Sequence, residues 1–286
     1  MTWDIRDKQV VLTGGNTGIG RATAEELCRR GARVVITARD AAKGDAAVAS
    51  IRATVPGAVI DWRPLDLTSR ASIEGCAATL LEELEAIDVL VHNAGLILSD
   101  RREAEPGVEA TFMINHLGPF LLTRLLERRL IESAPARVVV VASAAHRRAR
   151  GGLDFEDLQA TRRYSGELVY SRSKLANILF TNELARRLEG TGVTANSLHP
   201  GVVATNFTGD GDATGLWRFF FRFLRPFLKT PDQGARTSVH VACEPSIVGV
   251  SGAYFSDSKR ATPSAFARDE DAARRLWAAS EALLDG

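Results

Sequence analysis

The sequence predicts an α/β protein with a mostly parallel, doubly wound sheet of seven strands and helices on both faces. Short apolar runs rich in Val and Ile alternate along the chain with longer segments of helical periodicity. Continuous apolar runs are typical of strands that helices cover on both sides. No internal repeat or low-complexity linker divides the 286 residues, so we expect one domain over 1–286.

The predicted strands are, in chain order, QVVLTG (9–14), RVVITA (33–38), AVIDW (58–62), IDVLVHNAG (87–95), RVVVVAS (137–143), VTANSLHPG (193–201) and GAYFS (252–256). Among the helices between them, RATAEELCRRG (21–31) ends on a glycine, a natural helix stop. The longest helix, predicted over 168–190, carries four apolar residues at helical spacing: Leu175, Ile178, Leu179 and Leu184.

Composition excludes several classes of protein. With 45% hydrophobic residues and a net charge of +1, the chain has enough apolar residues for a core and shows no charge excess that favours nucleic acid. No apolar run reaches the roughly 18 residues of a membrane span, and the first residues lack a signal core, so we expect a cytoplasmic protein. Cys28, Cys76 and Cys243 form no CxxC pair, which predicts buried free thiols, and no cluster has metal-ligand spacing.

A glycine-rich turn, TGGNTGIG (13–20), joins the first strand to the first helix. Such a turn lets the backbone approach a pyrophosphate, while the helix N-terminus offers free N–H groups. A purely structural turn is the alternative. The position after the first strand of a Rossmann-like pattern favours dinucleotide binding.

The spacing of Gly14, Gly18 and Gly20 after Thr13 resembles the nucleotide loop of the short-chain dehydrogenase/reductase family. Its other landmarks follow in order: Asp66–Leu67, an HNAG segment in which His92 replaces the family's first Asn, Asn115, Ser143, Tyr170, Lys174 and Pro200–Gly201. The cofactor-binding residues that the resemblance implies are Gly14, Asn16, Thr17, Gly18, Ile19, Gly20, Arg39, Asp66, Leu67, Asn93, Ala94, Gly95, Tyr170, Lys174, Pro200, Gly201, Val203 and Thr205.

The end of the second strand favours NADP(H) over NAD. An NAD enzyme of this type carries an acidic residue there for the ribose hydroxyls, and here Ala38 and Arg39 occupy the position. A guanidinium can pair bidentately with a 2′-phosphate, although a merely solvated Arg39 is the alternative. Asp40 comes one residue late and is expected to cap the next helix.

Tyr170 and Lys174 are spaced to share one helix face. A free tyrosine has a pKa of about 10, and a neighbouring ammonium favours the phenolate. Tyr164 would need a basic residue at 168 and finds Leu168, so we interpret Tyr164 as a packing or pocket residue. The spacing alone is also common in helices without chemistry.

The resemblance then implies roles for four catalytic residues. Tyr170 would be the general acid for carbonyl reduction, and Lys174 would lower its pKa and bind the nicotinamide ribose. Ser143 would hydrogen-bond the substrate oxygen, and Asn115 would position a water that links Lys174 to solvent. Ser143 lies further before Tyr170 than in most of the family, because an insertion separates them; we keep it over Ser165 and Ser171 because it directly follows an apolar strand.

That insertion, with segments 170–207 and 251–284, resembles the retinol dehydrogenase branch of the family. After the PG turn, a helix with basic and aromatic faces is expected to form a lid at about 207–230, which implies a lipophilic aldehyde, ketone or alcohol as substrate. Membrane contact through 217–228 or a subunit interface are the alternatives, and family members often form homodimers. The candidate substrate residues are Ser143, His146, Tyr164 and Phe207.

The sequence therefore predicts an NADP(H)-dependent carbonyl reductase or alcohol dehydrogenase. A ketoreductase of a steroid, polyketide or other secondary metabolite is the second choice among enzymes. A non-catalytic NADP-binding sensor is the alternative from another class, and such proteins commonly lack one of the four catalytic residues that are all present here.

Overall fold

A computed structural model describes residues 3–201 and 229–285. Its main sheet contains eight strands in the order β10-β9-β8-β7-β4-β1-β2-β3, parallel except for the β9–β10 pair. The strands are β1 Gln9–Leu12, β2 Arg33–Ala38, β3 Val59–Pro64, β4 Val89–His92, β7 Ala136–Val141, β8 Val193–His199, β9 Tyr254–Ser256 and β10 Lys259–Ala261. A separate two-stranded sheet pairs β5 Glu103–Glu105 with β6 Val108–Glu109.

Helices cover both faces of the main sheet. They are α1 Gly18–Arg29, α2 Ala41–Thr54, α3 Arg70–Glu83, α4 Ala110–Phe112, α5 Gly118–Glu132, α6 Gly166–Arg187, α7 Pro231–Cys243 and α8 Glu270–Asp285. A π-helical turn, Met113–Leu117, joins α4 to α5. Neighbouring strand residues point to opposite cores: Val11 packs with α3, α5 and α6, and Val10 packs with α1, α2 and α7.

All seven predicted strands form, but the sheet has eight, which corrects the predicted count. The additional strand, β10, folds back on β9 through Asp257 and Ser258, whose φ angles are +50° and +59°. A hairpin turn with positive φ usually contains glycine or asparagine, so this sequence gives little sign of it.

The strand order brings four chain segments to the same edge of the sheet. The carboxyl ends of β1, β4, β7 and β8 are neighbours there, and they lead into the glycine-rich turn, the HNAG segment, Ser143 and the PG turn. Ligands of open α/β sheets bind at this edge, where the strand order reverses.

Other expectations concern thiols, metals and membranes. The three cysteines are free and buried, as predicted. Across 3–201 and 229–285, no group of three potential metal-ligating side chains comes together. No helix in those ranges is both long and apolar enough to span a bilayer.

Candidate active site

The glycine-rich turn is shaped by close backbone contacts. Gly14 and Gly18 have φ angles of +68° and +54°, and a Cβ on Gly20 would lie 2.1 Å from the carbonyl oxygen of Gly14. Helix α1 begins directly after Thr17, whose side chain makes no capping hydrogen bond, and its first turn carries no acidic residue. Its N–H groups and dipole thus fit an anionic group such as a pyrophosphate.

Asn93 fastens this turn to the end of β4. Its Nδ2 donates to the carbonyl oxygens of Thr13 and Gly14, both at 3.1 Å. The Thr13 hydroxyl oxygen in turn accepts from the backbone N–H groups of Asn93 and Ala94, also at 3.1 Å. The structure therefore gives the Asn93 side chain the task of holding the turn.

At the end of β2, Ala38 is buried and Arg39 is exposed. Asp40 caps α2 as predicted, because its carboxylate accepts from the backbone N–H of Lys43 at 2.8 Å. Asp66 binds the N–H and hydroxyl of Thr68, at 2.9 and 2.7 Å. The side chain of Leu67 packs in the core, and a contact between this residue and the cofactor stays a prediction.

Lys174 is a buried cation. Its side chain is 2% exposed, and its Nζ donates to the carbonyl oxygen of Val141 at 3.1 Å. No carboxylate of the described ranges lies within ion-pair distance of it, and burial lowers its pKa to about 8. Gly95 leaves room for it, since a Cβ there would lie 3.0 Å from Nζ. The Nζ is 5.8 Å from the centre of the Tyr170 ring.

The structure brings Ser143 to Tyr170 despite the insertion between them. The Ser143 hydroxyl accepts from the backbone N–H of Ala145 at 3.1 Å and is also a hydrogen-bond partner of the Tyr170 side chain. Burial raises the pKa of Tyr170, and the hydrogen bond from Ser143 opposes that effect. The net effect on the pKa of Tyr170 is therefore the opposite of the lowering that we expected from Lys174, because burial of the phenolate is the largest influence.

Asn115 lies in the π-helical turn and is fully buried. Its Oδ1 accepts from the N–H of Leu96 at 2.8 Å, and its Nδ2 donates to the Leu96 carbonyl at 2.9 Å. The same Nδ2 donates to the Ser173 hydroxyl at 2.9 Å, which itself donates to the Tyr170 carbonyl at 2.8 Å. The amide therefore clamps the loop after β4 to α6, and the positioning of a water by Asn115 stays a prediction. We did not select Ser173, whose only sequence signal is its place on the buried face of α6.

Two candidate substrate residues have other partners. His146 is 1% exposed; its Nδ1 donates to the Ser143 carbonyl at 2.7 Å, and its Nε2 accepts from the N–H of Ser264 at 3.1 Å. Both ring nitrogens therefore have partners within the fold, and a contact between His146 and the substrate stays a prediction. The Tyr164 hydroxyl donates to the Leu98 carbonyl at 3.2 Å, and burial raises its pKa to about 12. The Tyr164 hydroxyl thus has a partner within the fold, and its contact with a substrate stays a prediction.

The PG turn follows β8 as expected, with Gly201 at φ +89°. Its N–H donates to Nδ1 of His199 at 3.0 Å. The expectations for Val203, Thr205 and Phe207, and for the lid and membrane contact within 207–228, fall outside the described residues.

Comparison with known proteins agrees with this arrangement. The family model described as short chain dehydrogenase matches residues 8–154 and 157–214. Retinol dehydrogenase 12 of Mus musculus is 48% identical over 281 residues, which cover 98% of this chain and 87% of the relative. Retinol dehydrogenase 11 of Homo sapiens is 44% identical over 283 residues, 99% of this chain and 87% of the relative.

A solved structure is also similar. The crystal structure of an uncharacterized protein from Mycobacterium paratuberculosis superposes with a TM-score of 0.79 at 34% identity, covering 99% of this chain and 96% of that one. The chain belongs to the short-chain dehydrogenase/reductase family and is an oxidoreductase homologous to the retinol dehydrogenases.

Proposed function

We propose that this short-chain dehydrogenase/reductase uses NADP(H) to interconvert a lipophilic aldehyde or ketone and its alcohol, with Tyr170 as the general acid or base. The observation that carries the proposal is the hydrogen bond between Ser143 and Tyr170 beside a buried lysine. A buried ammonium without a carboxylate partner is costly to fold, and such a cost is typical of functional groups.

The chain's own groups have distinct tasks in this reaction. The cofactor, when bound, supplies or accepts the hydride. Ser143 holds the substrate oxygen, and Tyr170 gives that oxygen its phenolic proton during reduction. The ammonium of Lys174 stabilises the phenolate that remains and binds the ribose hydroxyls. In the reverse direction Tyr170 takes the proton from the alcohol.

The residues around the cofactor position support NADP(H) rather than NAD(H). The uncapped start of α1 and the backbone of Gly14–Gly20 fit a pyrophosphate. The carboxylate that follows β2 in the chain, Asp40, is held at the start of α2, and the exposed Arg39 precedes it. A guanidinium there would bind a 2′-phosphate, whereas an NAD enzyme needs a free carboxylate.

The substrate class rests on the similarity to retinol dehydrogenases and on the aromatic segment that follows the PG turn. We propose that residues of about 207–230 form the lid of a single catalytic domain, and that 217–228 also contact the surface of a membrane from the cytoplasmic side. A ketoreductase of steroids or polyketides is the alternative, because a lipophilic lid fits those substrates equally well.

The first experiment is to follow absorbance at the reduced-nicotinamide band with purified protein, NADPH or NADH, and a panel of carbonyl compounds. We expect NADPH to be oxidised well ahead of NADH, fastest with long apolar aldehydes or ketones, and Tyr170→Phe to abolish turnover while NADPH still binds. Unchanged turnover by Tyr170→Phe would rule out this mechanism. Tight NADPH binding without turnover of any carbonyl favours the sensor.

A further inference from the structure

Tyr164 stands at a junction between three parts of the active site. It lies near the end of the insertion that separates Ser143 from Tyr170, just before α6. Its hydroxyl donates to the Leu98 carbonyl at 3.2 Å and lies 3.4 Å from Oε1 of Glu109. Because burial raises its pKa to about 12, the hydroxyl keeps its proton and remains a hydrogen-bond donor.

Glu109 is a carboxylate with no exposed surface. It caps the helical run that begins at Ala110, accepting from the N–H of Thr111 at 2.9 Å and from the N–H of Phe112 at 2.6 Å. It forms no salt bridge within the part of the chain that the structure describes, so these N–H groups, the helix dipole and Tyr164 offset its burial. The same helical run carries Asn115.

Leu98 belongs to the loop that Asn115 clamps. The amide of Asn115 is bonded to both backbone groups of Leu96, two residues before Leu98. The start of α6 also packs closely against this loop, since a Cβ on Gly166 would lie 2.1 Å from the Leu98 carbonyl oxygen. Tyr164 therefore joins the loop, the helical run and the start of α6 at one point.

The insertion is docked on this point by further hydrogen bonds. The Gln159 side-chain oxygen accepts from the backbone N–H of Glu109 at 2.7 Å. The backbone carbonyl oxygen of Gln159 accepts from Nε of Arg101 at 3.1 Å. Neighbouring Ala160 is buried with a φ of +49°, a conformation that such contacts have to maintain.

We propose that Tyr164 and Glu109 are positioning residues that keep the Leu96–Asn115 clamp in register with Tyr170 and Lys174 on α6. This inference rests on the proposed function, in which Asn115 and α6 work together. The insertion then has a structural role in the active site. It supplies Tyr164 and Gln159, and these residues hold the loop after β4 beside the catalytic helix α6.

The test compares Tyr164→Phe with Tyr254→Phe, a control at a buried residue whose hydroxyl makes no hydrogen bond to the described residues. Hydrogen exchange of the Leu96 amide in the free protein reports the clamp, because that N–H is bonded to Asn115. We expect Tyr164→Phe to speed this exchange and to lower kcat, each about tenfold, with the KM of the carbonyl unchanged. The control should leave all three quantities unchanged.

A second variant tests the pair. If Tyr164 and Glu109 act through the same contact, Glu109→Gln should lower kcat. The double variant should then lower kcat by no more than the stronger of the two single changes does. Unchanged Leu96 exchange in Tyr164→Phe, faster exchange with unchanged kcat, or a raised KM at constant kcat would each overturn the inference. If the wild-type protein turns over no carbonyl, the proposed function fails, while the Leu96 exchange still decides whether the clamp depends on Tyr164.

Discussion

Replacing Lys174 with Met is expected to stabilise the folded protein while it abolishes proton transfer. Lys174 is 2% exposed, and burial lowers its pKa from 10.5 to about 8. At neutral pH this difference corresponds to about 3 kcal/mol of destabilisation, because folding has to bury the charged form. Methionine fills a similar volume without a charge, so the variant should gain an amount of that order in its free energy of unfolding.

The pH dependence gives this prediction a definite sign. Between pH 8 and 10.5 the unfolded chain holds the Lys174 proton and the folded protein does not, so stability rises with pH across that window. Urea unfolding followed by circular dichroism at pH 7 and pH 10 measures the effect. The advantage of Lys174→Met should be about 3 kcal/mol at pH 7 and should shrink to about 1 kcal/mol at pH 10.

Lys259→Met is the matched control, because Lys259 is exposed on the edge strand β10. Its stability should follow that of the wild-type protein at both pH values. The reasoning is refuted if Lys174→Met is less stable than wild type at pH 7, or if its advantage is the same at pH 7 and pH 10. Either result would mean that burial does not penalise the ammonium.

Further predictions concern the cofactor site and buried histidines. Arg39→Asp should reduce the kcat/KM preference for NADPH over NADH by on the order of tenfold to a hundredfold, the loss expected for a charge-assisted contact. Gly20→Ala should abolish NADPH binding measured by calorimetry, because its Cβ would lie 2.1 Å from the Gly14 carbonyl oxygen. Burial lowers the pKa of His92 and His116 to about 3, so acidification from pH 7 to 5 should cost about 2 kcal/mol for each. In urea unfolding, His92→Asn should reduce the loss in unfolding free energy between pH 7 and pH 5 by the part that His92 contributes. A loss as large as that of the wild-type protein would contradict this.

The sequence predicts those features that depend on local pattern. Apolar strands, the glycine-rich turn and the Asp40 cap are local, and each forms as expected. Ser143 could be chosen over Ser165 because it ends an apolar strand, and its side chain does meet Tyr170.

Side-chain partners that are distant in the chain could not be predicted in the same way. His146 is bonded to the amide of Ser264, and Tyr164 to the carbonyl of Leu98. Both partners are backbone groups, which carry no residue-specific pattern. For that reason the sequence does not reveal which polar residues near the catalytic segment are bonded to distant parts of the fold.

The Tyr170–Lys174 pair shows why spacing on a helix does not settle the chemistry. The i,i+4 rule predicts a lowered tyrosine pKa, yet burial raises the pKa of Tyr170 and lowers that of Lys174. Burial thus disfavours each charge taken alone, whereas a phenolate beside an ammonium carries no net charge and is penalised less. The tyrosine can therefore give up its proton most easily while the lysine keeps its own. The apolar surroundings that raise the cost of either charge are also what couple the two protonation states.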